Sequence, residues 1–576
     1  HNGKNLKELL SLGNGVSLWW FTLIAEKNTY KSDAINKLAQ MDAIVEYIKA
    51  NDIKKIVFAC KSIKLKQVMN DYLNNNDIKI IFINYNNWFY GIRQNQYFIL
   101  IGSIFTLFVH FINKMAVTMR IKGSLSKLRR NYIQNTAAKD SIMSMTYFPS
   151  IDVPSAKQGK YVNKYLQSFQ ESMEKEWKKV IWIFIYVKNN AISFSDAIRY
   201  AELFIKNGHV IYFIEEFNTL YLQLKSLVTL LINGAKFISA EKEIKRLYSF
   251  GEYNFYSLLR NDWYLSLIGP IGYSEILNYN LFKSVFKKFD IDKCLYLCEM
   301  HAWEKALIYA RDTTKTRTRL FGYQSGAMPE MILNYFHTPL EVRPDVPYPI
   351  AVPDKIICNG RLNYDHMIKS GWTKDKVCIA EAVRYNHLKR YMSENLRKEK
   401  NLVLVGLSIS PEEGSSILSV VYEALNNVGN IVVWIKAHPF LHIEDVFKLS
   451  GIDPEECSFH IKKEPVDELL SVARIAIVGE SSVSIEAIAL GCDVVIIDVP
   501  QWINMSLLKN THASMVKRAS CPVELKRVIC EIIEQDYDAA SRKAEAKNII
   551  DTFFCLDYNS DVPERFLRIL KDEPIL

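Results

Sequence analysis

The sequence predicts an α/β protein of two Rossmann-like domains facing a cleft, with a helical and apolar insertion in the N-terminal half. Three observations carry this. At 576 residues the chain is longer than one hydrophobic core usually supports. Strand-like apolar runs alternate with helical stretches in both halves, the pattern of βαβ units. In the C-terminal half, two such runs end in hydrogen-bond donors, Lys436-Ala-His-Pro439 and Glu480-Ser-Ser482. Open α/β sheets bind ligands at the carboxyl ends of their strands.

In chain order, the first series is the strand 55–59, a helix through Val68 to Leu73 and the strand 78–83. The sixteen-residue apolar run Tyr97–Ile112 interrupts it and continues into Lys114, Arg120, Lys122, Lys127, Arg129 and Arg130. That run falls short of the roughly 18–20 residues that span a bilayer. The insertion 97–130 therefore has two readings, a monotopic segment with its cations against anionic head groups or a buried helix with a solvated basic continuation. A second series follows at 180–187, 193–206 and 209–214. After it come a helical region of roughly 216–290 and the strand 293–297, which runs into Glu299. The proline-rich stretch 339–353 reads as an extended connection, 355–358 and 376–380 as short strands, and 386–400 as a linker. The C-terminal half predicts strands at 401–406, 431–436, 458–462, 474–478 and 493–498, with helices at 413–427 and 482–490 between them. The expected domains are thus 1–385 and 401–576.

Composition narrows the class. Hydrophobic residues make up 49% and charged residues 23%, which fits a folded soluble or peripheral protein and excludes long disorder. A net charge of +9 permits anionic lipid or nucleotide partners; no nucleic-acid partner is expected. The ten cysteines include no Cys-x-x-Cys, and no secretory signal is read at the start. Reduced thiols in a cytoplasmic protein are the expectation, peripheral on the inner face of a membrane if the segment 97–130 is monotopic. No Asp-x-Asp lies between apolar strands, so no metal and no cofactor is expected.

Candidate chemistry lies at strand ends. Glu299 closes an apolar strand and precedes a helix, a sensible corner for a catalytic acid or base; an N-terminal cap interacting with the helix dipole is the plainer alternative. His301 and Glu304 follow it. Glu26, after Trp19-Trp20, is the rival, because aromatic neighbours raise a carboxyl pKa as a general base requires. Glu215 and Glu216 occupy a comparable strand end in the same half. In the C-terminal half, Gly406 allows close backbone approach and Ser408 offers a hydroxyl. Ser481 and Ser482 open a helix, which is an anion site or simply an N-cap. Glu486 lies one turn further, and Asn504 and Ser506 follow the strand 493–498.

The His-Pro and Ser-Ser pair resembles the motifs of bacterial sialyltransferases and Kdo transferases, GT-B enzymes that use CMP-activated sugars. The wider chain is similar to bacterial surface-carbohydrate (O-antigen or capsule) biosynthesis proteins, through Ser17-Leu-Trp-Trp-Phe-Thr-Leu-Ile-Ala-Glu-Lys-Asn28, Cys298-Glu-Met-His-Ala-Trp-Glu-Lys-Ala306 and Glu381-Ala-Val-Arg-Tyr385. The resemblance implies that His438 and Pro439 contact CMP, that Ser481 and Ser482 hold its phosphate, and that Glu486 sits near the ribose. It implies metal-independent transfer of a 2-keto-3-deoxy acid sugar, a nonulosonic acid (sialic, pseudaminic or legionaminic) or Kdo, from CMP to a glycan or lipid-linked glycan acceptor. Glu299 or Glu26 would act as base or nucleophile, with inversion or retention respectively. Two other readings stay open: a GT-B transferase using a UDP- or GDP-sugar, for which Lys436 is the one evident cation, and a non-catalytic membrane-associated polysaccharide assembly protein.

Overall fold

A computed structural model describes residues 5–574 apart from 61, 84–95, 133–139, 189–191, 251–252, 344, 395, 440 and 499–504; Asn504 therefore lies outside the described residues. Seven parallel strands form the first sheet. They are β1 (Ser141–Phe148), β2 (Lys179–Tyr186), β3 (Val210–Phe213), β4 (Lys293–Leu297), β5 (Arg319–Gln324), β6 (Lys355–Cys358) and β7 (Val377–Ile379), in the order β7-β6-β5-β4-β1-β2-β3. The second sheet holds β8 (Glu399–Gly406), β9 (Val432–Lys436), β10 (His460–Ile461), β11 (Ala473–Val478), β12 (Asp493–Ile497) and β13 (Val516–Ala519), in the order β10-β9-β8-β11-β12-β13. Both orders reverse direction beside the first strand. The crevices at the carboxyl ends therefore open between β1 and β4 in one domain and between β8 and β11 in the other. Two Rossmann-like domains with a cleft between them make this the GT-B architecture.

The strands form where the sequence is apolar on both faces, as in Val180-Ile-Trp-Ile-Phe184, because helices cover parallel sheets from both sides. One face of the first sheet packs under a thick helical layer that includes Leu220–Leu247, Tyr256–Leu267 and Pro270–Lys288. The other packs against Phe194–Lys206 and, from the far end of the chain, Glu564–Lys571. In that last helix Phe566 stacks on Phe169 with ring centroids 4.1 Å apart. Glu381 accepts hydrogen bonds from the backbone N–H groups of Arg565 and Phe566, both at 2.9 Å.

Several elements differ from expectation. Among the described residues the strands Lys55–Ala59 and Lys79–Ile83 pair only with each other and do not open the first sheet. Their alternation of half-buried and exposed residues explains this: they bury one face against the helices Ala34–Ala50 and Ile63–Asn75 and against Tyr253 and Leu258. The run 97–112 belongs to one continuous helix, Gln96–Tyr132. The buried-helix reading of this run fails, because the helix buries only a stripe through Ser103, Leu107, Thr118, Ile121 and Leu125, while Phe105 is 66% exposed. The stretch 386–400 contains the helix His387–Ser393 and the first residues of β8.

Phe566→Ala is expected to cost about 3–5 kcal/mol and to lower the thermal midpoint of the full chain. An unchanged melt would show that the last helix is no part of the first domain's core.

Candidate active site

The crevice of the first sheet is built by two chain segments far apart in sequence. From the N-terminal side, Ser17–Asn28 wedges Trp20 and Phe21 into the core, with the Trp20 indole donating to the Tyr348 carbonyl at 3.0 Å. A short helix, Leu23–Glu26, capped by the Thr22 hydroxyl, then delivers Glu26. From the sheet, the corner after β4 delivers Glu299 and His301. Met300 between them has a left-handed φ of +59°, a conformation that costs a non-glycine residue on the order of 1–3 kcal/mol. Glu304 secures it by accepting from the backbone N–H groups of Glu299, Met300 and His301 at 2.8, 3.0 and 3.1 Å. Glu304 is therefore occupied within the corner, and burial pushes its pKa up to about 7.

The result is a carboxylate–imidazole–carboxylate row. His301 Nδ1 lies 2.7 Å from Glu26 and Nε2 lies 3.2 Å from Glu299. Burial opposes charge on the ring, but the hydrogen bonds to both acids win and raise His301 to about 9. At neutral pH it is an imidazolium. Burial likewise opposes charge on Glu26, yet His301 and Lys31, 2.6 Å away, hold it at about 2. This overturns the expectation of a raised pKa at Glu26: the aromatic residues desolvate the neighbourhood, but two cations outweigh them. Glu299 is also held below its ordinary value against burial, by His301 first and by Arg384 and Lys31. The two acids differ in access. The Glu26 side chain is 2% exposed and the Glu299 side chain 32%.

Glu215 and Glu216 stand apart from this row, against the helix Gln96–Tyr132. Glu216 pairs with Arg129 at 2.6 Å, and Glu215 lies 3.9 Å from Lys114. Glu275, on the helix Pro270–Lys288, is an acid that the sequence reading did not single out. Burial raises it to about 6, and its field reaches Glu26 and Lys31.

On the donor side, Gly406 ends β8 and Ser408 follows, but the Ser408 hydroxyl donates to Glu413 and is buried. The second Glu413 oxygen accepts from the Glu480 N–H at 2.8 Å. A Cβ at Gly479 would meet Glu413 Oε1 at 2.0 Å and Ile417 Cδ1 at 2.8 Å, so a larger residue there would displace the Glu413 carboxylate. Ser481 is buried and its Oγ accepts from the Val483 N–H at 3.3 Å, whereas Ser482 is exposed at the start of the helix Val483–Ala489. His438 lies just beyond β9, half-buried, with its pKa lowered by desolvation, and Pro439 beside it is exposed. Lys436 is tied to the Lys463 carbonyl at 3.0 Å.

Two of the places where the halves face each other bear on the site. A cavity of about 470 Å³ lies between Thr29–Asn36 on one side and Ile409–Glu413, Glu480 and Met505 on the other. Burial and Glu413 raise Glu480 there to about 8. The second meeting point is Arg384, which the sequence reading quoted in a motif and gave no role. Its guanidinium lies over the Tyr165 ring at 4.7 Å, and its charge acts on both Glu299 of the first domain and Glu486 of the second. Burial nevertheless raises Glu486 to about 7.

No protein-family model matches the chain, and no curated protein does. Among solved structures it is similar to Anabaena HepE in complex with UDP and glucose, at 11% identity over 75% of this chain and 99% of that one, TM-score 0.41. It is also similar to a glycosyltransferase from Rickettsia africae, at 12% identity over 75% and 98% of the two chains, TM-score 0.40. The wall teichoic acid polymerase TagF is 11% identical over 80% and 97%, TM-score 0.36. The fold assignment rests on the strand orders themselves.

Proposed function

We propose that this protein is a glycosyltransferase that moves a 2-keto-3-deoxy acid sugar from CMP to a hydroxyl of a glycan or lipid-linked glycan acceptor. The observation that carries the transferase reading is the row Glu26–His301–Glu299 at the switch point of one sheet, joined through Arg384 to Glu486 beside the switch point of the other. Glu299 is the base. It is ionised and accessible, and His301, itself oriented by Glu26, fixes its direction. As the acceptor oxygen attacks the anomeric carbon, its proton passes to Glu299 and the bond from that carbon to the phosphate oxygen breaks, with inversion. The leaving phosphate carries the developing negative charge. Arg384, the neutral imidazole of His438 and the Ser482 end of its helix are the groups we assign to it. Lys436 gives one N–H to the Lys463 carbonyl and keeps its charge, so the choice of a donor with a single phosphate rests on the His-Pro and Ser-Ser resemblance.

The direct test is calorimetric titration with CMP, UDP and GDP, followed by a transfer assay with the corresponding sugars. Tightest binding of UDP or GDP would move the donor to that class, and no nucleotide binding with no transfer would sink the enzyme reading altogether.

Glu299→Gln is expected to slow transfer by about 10²–10⁴-fold while CMP affinity stays within twofold of wild type, roughly the error of such titrations. A variant that keeps its rate removes Glu299 as the base.

Arg384→Ala should weaken CMP binding by about 1.5–3 kcal/mol and leave cytidine binding unchanged. Equal losses for both ligands would mean that the arginine acts on the fold and not on the phosphate.

The raised pKa of His301 also predicts a pH dependence. The stabilisation from the protonated ring is complete below its ordinary value of 6.5 and is lost as pH rises through about 9. The melting temperature of the wild type should therefore fall across that interval, and that of His301→Ala should fall less. Parallel curves would show that the row is not ionised as described.

A further inference from the structure

Away from the cleft, two helices present an apolar surface to water. The helices Gln96–Tyr132 and Leu220–Leu247 both pack on Pro270–Lys288. Asn218, just before the second helix, donates to the Thr118 hydroxyl of the first at 2.9 Å. Each helix turns a narrow stripe inward. Outward it leaves large hydrophobic side chains exposed, among them Ile101, Phe105 and Phe108 on the first helix and Leu224, Leu231 and Ile232 on the second. Large exposed apolar side chains recurring along the free sides of two helices, rather than scattered singly, mark an interaction site on a folded protein.

Charge identifies the occupant. Between Gln96 and Tyr132 there is no acidic residue and there are six Lys or Arg; the second helix carries Lys225 and Lys236 up to Ala240, and Glu241, Lys242, Glu243, Lys245 and Arg246 in its last turns, so it too is net positive. Arg120, Lys127, Arg130 and Lys225 are exposed. A second copy of the same face would bring like charges together, whereas anionic lipid head groups supply the missing negative charge. The first helix is long and apolar enough to cross a bilayer, and 11% of its apolar window is buried. Spanning would nevertheless strip it from the domain and break the His110–Ser274 contact at 2.8 Å, the Asn218–Thr118 bond and the Arg129–Glu216 pair. A helix held along one side can instead lie in the plane of the interface, its free side about 5–10 Å into the head-group boundary.

We infer that these two helices form one docking face for an anionic lipid surface, with the apolar side chains inserted and the arginines and lysines on the phosphates. This inference is independent of the chemistry assigned to the cleft. The helix Leu220–Leu247 supplies half of the face.

Flotation of the full chain with phosphatidylglycerol–phosphatidylcholine vesicles and with phosphatidylcholine alone tests it. The wild type should float with the anionic vesicles, less at high salt. Phe105→Glu with Phe108→Glu, and separately Leu231→Glu with Ile232→Glu, should each reduce partitioning by at least about tenfold. All four positions are exposed, so the melting curves should match wild type and show that both variants fold. Three results would overturn the inference: wild type that stays with the aqueous fraction, Leu231 and Ile232 variants that bind as well as wild type, or a wild-type dimer in light scattering that these substitutions dissociate.

Discussion

One buried carboxylate underlies the geometry of the site. Glu304 takes three successive backbone N–H groups of the corner after β4, while the Lys305 ammonium, also buried, donates to the Met300 carbonyl at 3.2 Å. Only with both contacts does a methionine sit in a left-handed conformation between Glu299 and His301. The turn aims the two side chains at each other and at Glu26. An ordinary strand-to-helix connection would send alternate residues to opposite faces, and the row of three ionisable groups would not form.

Glu299 and His301 were legible in the sequence because an apolar strand announces its own end, and Glu26 because it follows Trp19-Trp20. Glu299, His301 and Glu26 were all named from local pattern. Their meeting was not legible, since Glu26 and His301 are 275 residues apart and nothing local to either describes the other. The same limit hid the fates of Ser408 and Lys436: a sequence displays donors but not which acceptor takes them. Arg384 gave no spacing signal, and the only clue was its place in the quoted Glu381–Tyr385 patch.

Fold legibility followed burial pattern. Most strands rich in branched aliphatic residues were read within a residue or two of their ends, whereas β5 and the edge strand β13 were missed, as was β1, with Ser141, Ser144 and Thr146 buried in its length, although it is central. Of the β1 hydroxyls, that of Thr146 accepts from Asn163 at 3.3 Å, whereas the buried Ser141 hydroxyl has no hydrogen-bond partner among the described residues. In the helical layer, apolar content all round a helix ordinarily signals a core position, so sequence alone gave no warning that Leu220–Leu247 leaves one side in water.

The return of the last helix to the first sheet means that the backbone passes between the domains twice. The two passages run side by side: Ala382 N–H donates to the Cys555 carbonyl at 2.8 Å, and Tyr385 stacks on Phe554 with centroids 3.9 Å apart. Arg384 lies within this two-ply connection, between Ala382 and Tyr385, so the charge that reaches both Glu299 and Glu486 is carried by the polypeptide link between the domains and not by a side chain of either cleft wall.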